Sequence, residues 1–105
     1  MKIVCLPVEE DCGLRSRVAA RFCDARSFLL VETHSLTHRA IPNLRDAPRD
    51  AVCDARRLLR GASVDLFILG DGEAPSLDGP VTRAPPGTVA DALAALIAGK
   101  LPAPV

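Results

Sequence analysis

The chain has no Trp, no Tyr, only three Phe and one Met in 105 residues, and no excess of either charge, since 13 Lys and Arg balance 13 Asp and Glu. Single-strand binders stack bases on aromatic rings, and nucleic-acid binders in general carry a basic surplus. Both signatures are missing, so nucleic acid is not an expected partner. Long apolar runs are missing too, and none approaches the roughly 20 residues a membrane helix needs. Glu9, Glu10 and Asp11 follow the first apolar run so closely that no secretory-signal core is expected. Cysteine is sparse: Cys5, Cys12, Cys23 and Cys53. An even number allows two disulfides, but without a secretory signal the expectation is reduced thiols in a cytoplasmic protein.

What is present is the composition of an ordinary globular domain, 49% hydrophobic and 25% charged. The length suits one core, expected over 1–101 with a loose tail at 102–105. Ile3 to Leu6 reads as a buried strand ended by Pro7, and Phe28 to Val31 as a second. Leu36 to Ile41 can pair back as a third strand after a turn at Glu32 to Ser35. Asp46 to Gly61 has helical period, with Ala51, Val52, Ala55, Leu58 and Leu59 on one stripe. Leu66 to Leu69 fits a central strand buried on both faces, and Val81 to Ala84 a short last strand. Thr88 and Asp91 form a capping-box pattern for a final helix whose buried face is expected at Val89, Leu93, Leu96 and Ile97, with Gly99 closing it. The fold class is therefore α/β, a mixed five-stranded sheet with two main helices. Between Asp71 and Gly79 there is room for at most a shortened middle helix, leaving one sheet face thinly covered.

The organising stretch is the loop from Glu9 to Arg26, too long for a hairpin turn. Gly13 permits tight backbone turns there, Arg15, Arg17 and Arg21 bring positive charge, and Cys12 and Cys23 bring soft donors. Long ordered loops in compact domains are usually binding loops or lids. If the first three strands form an antiparallel meander and the fourth runs parallel to the first, Cys12–Arg26 of this loop, Asn43–Arg49 and Gly70–Glu73 converge on one edge. His34 and Ser63 then fall on the opposite edge. Ligands in open α/β sheets bind beyond the carboxyl ends of the parallel strands, so the first edge is the expected site.

With these residues laid out, the chain resembles the dinitrogenase iron–molybdenum cofactor biosynthesis family, the small domains of the NifX and NafY type. The resemblance rests on Met1-Lys2-Ile3-Val4 and on the loop frame of Gly13, Leu14, Ser16, Val18, Arg21, Phe22 and Ala25. It continues through Phe28 to Val31, Leu59, Val64-Asp65 and Gly87-Thr88-Val89. It implies a single RNase H-like domain without catalysis that holds an anionic iron–sulfur or iron–molybdenum cluster, as a carrier or store in cofactor assembly linked to nitrogen fixation. The implied partners are the metallocluster and cofactor-assembly or acceptor proteins, with a homodimer as a further possibility. Arg21 and Arg49 stand where family members commonly carry His.

Cys12 and Cys23 are the candidate metal ligands, because thiolates hold iron–sulfur clusters and cationic neighbours favour the thiolate. Cys5, inside a strand, and Cys53, beside the helical stripe, read as small core residues. Arg21 and Arg49, with Arg15 and Arg17, are candidates to clamp an anion, since each guanidinium donates several hydrogen bonds. Ser16 and Gly70 complete the candidate cofactor-binding set, Gly70-Asp71-Gly72 being a tight turn that lets backbone approach the cleft's occupant. His34 and His38, four apart on a strand hairpin, would lie roughly 13 Å apart, too far for one ion. Two other functions remain open. A degenerate family member could act only as a protein-interaction module. A metal-dependent nuclease on the same scaffold would need clustered carboxylates, and Ile3 to Leu6 offers none.

Overall fold

The computed structural model describes residues 3–42, 63–72 and 79–103, together with the backbone but not the side chain of Cys23. The helix expected over 46–61, and with it Arg49 and Cys53, lies outside the described residues, as does most of the Asp71–Gly79 connection. Five strands, β1 (Ile3–Val8), β2 (Ser27–Glu32), β3 (His38–Pro42), β4 (Leu66–Leu69) and β5 (Val81–Arg83), form one sheet in the order β3-β2-β1-β4-β5. β1, β2 and β3 are an antiparallel meander, with Cys5 opposite Leu30 and Leu29 opposite Ala40. β4 runs parallel to β1, and β5 parallel to β4. With α1 (Val89–Ile97), this makes a single small α/β domain with a mixed sheet and one helix among the described residues. No helix among those residues is long and apolar enough to cross a membrane.

Pro7 does not end β1. Its carbonyl accepts the Ala19 amide at 2.8 Å, so its ring nitrogen also faces away from β2, and the missing N–H costs no β1–β2 hydrogen bond. β3 starts two residues later than its apolar pattern suggests, because Glu32 builds the turn. The Glu32 carboxylate accepts the amides of His34 (2.9 Å) and Ser35 (2.7 Å), and Leu36 adopts a left-handed φ of 59°.

The alternation of β1 sorts the core into two layers. Val4, Leu6 and Val8 join Leu29, Val31, Leu66 and Ile68 on one face, covered by Val89, Ala92 and Leu93 of α1. Cys5 joins Phe28, Leu30, Phe67 and Leu69 on the other. In α1 the capping box forms as the sequence implies: Thr88 Oγ1 accepts the Asp91 amide and Asp91 Oδ2 accepts the Thr88 amide, both at 3.2 Å. Its buried stripe is Val89, Ala92 and Leu93 with Leu96 half-buried, an i, i+3, i+4, i+7 face. Ile97, expected on that stripe, is one step round the helix and 69% exposed. Gly99 ends the helix with φ +70°. The tail is tied at its first residue, since the Thr82 hydroxyl donates to the Pro102 carbonyl at 2.7 Å.

Candidate functional site

The loop between β1 and β2 clasps the carboxyl-end edge of the sheet. Leu14 packs on the α1 side of the core, and Val18 follows it there. The chain then crosses the edge, and Ala19, Phe22 and Ala25 are buried on the opposite face. Phe22 stacks on Phe28, centroids 4.8 Å apart, and meets Phe67 edge-on at 6.3 Å. Backbone hydrogen bonds stitch the crossing to three neighbours. Ala19 donates to Pro7, Val18 to Gly87 at 3.0 Å, and Gly72 to Ala20 at 2.8 Å. A stretch that reads as a binding loop is thus anchored like a core element, with its charged side chains exposed or half-buried.

Two of the three loops expected to converge do so, the 9–26 loop and Gly70–Gly72. The third, Asn43–Arg49, lies outside the described residues. The approach is very close: a Cβ on Gly70 would lie 2.5 Å from the Ala19 carbonyl oxygen, and one on Gly72 the same distance from that of Ala20. Glycine is needed at both positions because the chain's own loop fills the space a side chain would take. The segment from Pro85 to Thr88, between β5 and α1, forms a further wall that sequence reasoning did not place here. These walls enclose a cleft of about 430 Å³ whose charged lining groups are Arg17, Glu9 and Asp71. It opens beyond the carboxyl ends of β1, β4 and β5, where the parallel part of the sheet directs ligands.

The candidate residues separate by position. Arg17 and Gly70 line the cleft. Arg21 is exposed beside it, its Cγ 3.0 Å from where a Gly72 Cβ would stand, and its guanidinium lies 3.9 Å from the Asp24 carboxylate. Both partners are about two-thirds exposed (66% and 69%), so this ion pair holds Arg21 only weakly. Ser16 is fully buried and does not line the cleft. Its Oγ accepts the Cys12 amide at 2.8 Å and its carbonyl accepts the Val89 amide at 2.9 Å, locking the turn Gly13–Arg15 against the start of α1. Cys12 and Arg15 are exposed on that turn and are not part of the cleft wall. Gly13, at φ +59°, sits against the His38 ring.

The start of α1 is not an open anion site. The Val89 amide is taken by Ser16 and the Asp91 amide by Thr88, while the Asp91 carboxylate occupies the position an anion would seek. Positive charge at the cleft therefore comes from side chains. Of the thiols with described side chains, Cys12 is exposed and Cys5 is buried, with burial pushing the Cys5 thiol up to about 12. Cys5 stays protonated at neutral pH and is no ligand. Among the described residues no group of three or more His, Cys, Asp or Glu is placed to hold a metal ion.

Fold and cleft together define a small α/β domain with a cleft beyond the carboxyl ends of its parallel strands. No family model matches the sequence, and no curated protein matches it. Solved structures share its fold. A candidate NifB protein from Thermotoga, placed in the DUF35 family, superposes with a TM-score of 0.80 at 23% identity, covering 98% of this chain and 93% of that one. The apo form of the orange protein from Desulfovibrio gigas gives 0.77 at 18% identity, covering 100% and 97%. A candidate dinitrogenase from Methanocaldococcus jannaschii gives 0.66 at 15%, covering 98% and 93%. At these identities the likeness establishes the shared fold.

Proposed function

We propose that this domain is a non-catalytic carrier that takes up an anionic iron–sulfur or iron–molybdenum cluster as cargo and passes it to cofactor-assembly or acceptor proteins. The observation that carries the reading is the cleft at the carboxyl ends of the parallel strands, with Arg17 in its wall and Arg21 beside it. Glu9 and Asp71 oppose an anion in the same cleft, and Arg17 with Arg21 beside it are the groups that offset them. Cys12, exposed on the same loop but outside the cleft wall, and Cys23, whose side chain is not described, are the thiols we assign to such cargo. The nitrogenase-related names among the structural neighbours, and the apo state of the orange protein, point the same way. A meander followed by two parallel strands, in the order β3-β2-β1-β4-β5, is also how we infer a reduced RNase H-like fold. A reduced, buried Cys5 suits a cytoplasmic setting.

Anaerobic reconstitution with iron, sulfide and molybdate, followed by metal analysis and visible absorption, tests the reading. The parent should load a chromophoric cluster. Joint substitution of Arg17→Glu and Arg21→Glu should weaken loading about tenfold or more, a loss of roughly 1.4 kcal/mol from converting two favourable charges into repulsive ones. A parent that loads no metal, or a double variant that loads as well as the parent, refutes it.

A further inference from the structure

The end of β4 carries an arrangement that the cleft's lining does not include. Leu69 pairs with Arg83 across the parallel β4–β5 ladder, so Arg83 stands beside the point where β4 runs out into Gly70-Asp71-Gly72. Its Nη1 donates to the Gly70 carbonyl at 2.6 Å and to the Gly72 carbonyl at 2.7 Å, using both protons of that nitrogen. Two carbonyls therefore converge on a single cationic group, a charge-assisted contact stronger than a neutral one. On its other side Gly72 donates its amide to Ala20, the residue before Arg21. Between the two glycines, Asp71 lines the cleft.

The physical need for a clamp follows from the glycines. Both must be glycine because Ala19 and Ala20 crowd them, yet glycine is the residue with least intrinsic order, so the turn depends on contacts from other elements for its shape. We propose that Arg83 is the positioning residue of the cleft. It fixes the Gly70–Gly72 turn, and through the Gly72–Ala20 hydrogen bond it sets the loop wall that carries Arg17 and Arg21. The consequence for cargo rests on the carrier reading; the consequence for the turn does not.

The test uses Arg83→Met, which keeps the aliphatic stem but removes both donors, and Arg83→Lys, which keeps the charge and can still donate. Amide hydrogen exchange of Gly72 in the cargo-free protein reads the turn directly, with Leu66–Leu69 amides reporting the sheet. Reconstitution with iron, sulfide and molybdate reads the cleft. Arg83→Met should speed Gly72 exchange at least tenfold while leaving the β4 amides unchanged, and should weaken loading about tenfold. Arg83→Lys should recover part of both. Gly72 exchange at the parent rate in Arg83→Met overturns the clamp. Faster exchange with undiminished loading overturns its role in positioning the cleft. Equal acceleration of the β4 amides in Arg83→Met and Arg83→Lys would make Arg83 a general stabiliser and also overturn it. A parent that takes up no cluster defeats the carrier reading instead, while the exchange result still decides the clamp.

Discussion

Replacing Phe22 by Ala tests whether the long loop is an anchored part of the core. Phe22 is 1% exposed, stacks on Phe28 and meets Phe67 edge-on, although it belongs to the short turn Phe22–Asp24 inside the loop. A buried ring removes about 150–250 Å² from water, which at about 25 cal/mol per Å² sets an upper value of roughly 4–6 kcal/mol. Truncation series for buried Phe give about 3–5 kcal/mol, and that is the expected loss here. Against a total stability of about 5–15 kcal/mol, it is a large fraction. The melting temperature should fall by roughly 12 °C or more, taking about 4 °C per kcal/mol as the lower slope for a domain of this size. With no Trp or Tyr to follow by fluorescence, urea unfolding should be monitored by far-ultraviolet circular dichroism. Ile97→Ala is the matched control, since Ile97 is 69% exposed and should stay within about 0.5 kcal/mol of the parent. A loss below about 1 kcal/mol for Phe22→Ala, with an unchanged urea slope, would mean that the loop is not held by the core.

Two further outcomes follow from individual side chains. The Ser35 hydroxyl, then the amides of Ser35 and His34, donate to the Glu32 carboxylate and hold its pKa below the usual range. A depressed carboxylate stabilises the fold above the unfolded glutamate value and loses that contribution as pH falls through the folded one. Urea midpoints of the parent and Glu32→Gln should therefore differ most at neutral pH and converge in acid, and a gap that widens on acidification would contradict the turn geometry. Among the thiols, Cys12 should react with iodoacetamide in the native protein while Cys5, buried and pushed up to about 12, reacts only after unfolding; peptide mass spectrometry separates the two sites, and native labelling of Cys5 would be the contrary result.

Local signals account for much of the architecture. Leu66 to Leu69 is apolar throughout because β4 is flanked by strands and covered on both faces, and a run of that kind is visible without coordinates. Thr88 and Asp91 state their own capping box, since both partners lie within one turn. That Arg17 and Gly70 share an edge is legible for the same kind of reason: parallel strands in an α/β sheet send their loops to one edge. Where sequence reasoning went astray, a distant partner decided. Pro7 continues β1 because the side facing β2 keeps its hydrogen bonds, and Ser16 turns inward because Cys12 and Val89 need its oxygens.

By itself, the order of apolar, glycine and capping residues determined the strands, the final helix and the edge at which the loops gather, because each of those signals is carried by near neighbours in the chain. Only the tertiary structure decided that Phe22 belongs to the core, that Gly70 and Gly72 make way for Ala19 and Ala20, and that Arg83 clamps two carbonyls thirteen and eleven residues away. Those contacts join residues from different elements. Their geometry exists only once the sheet has brought the elements together.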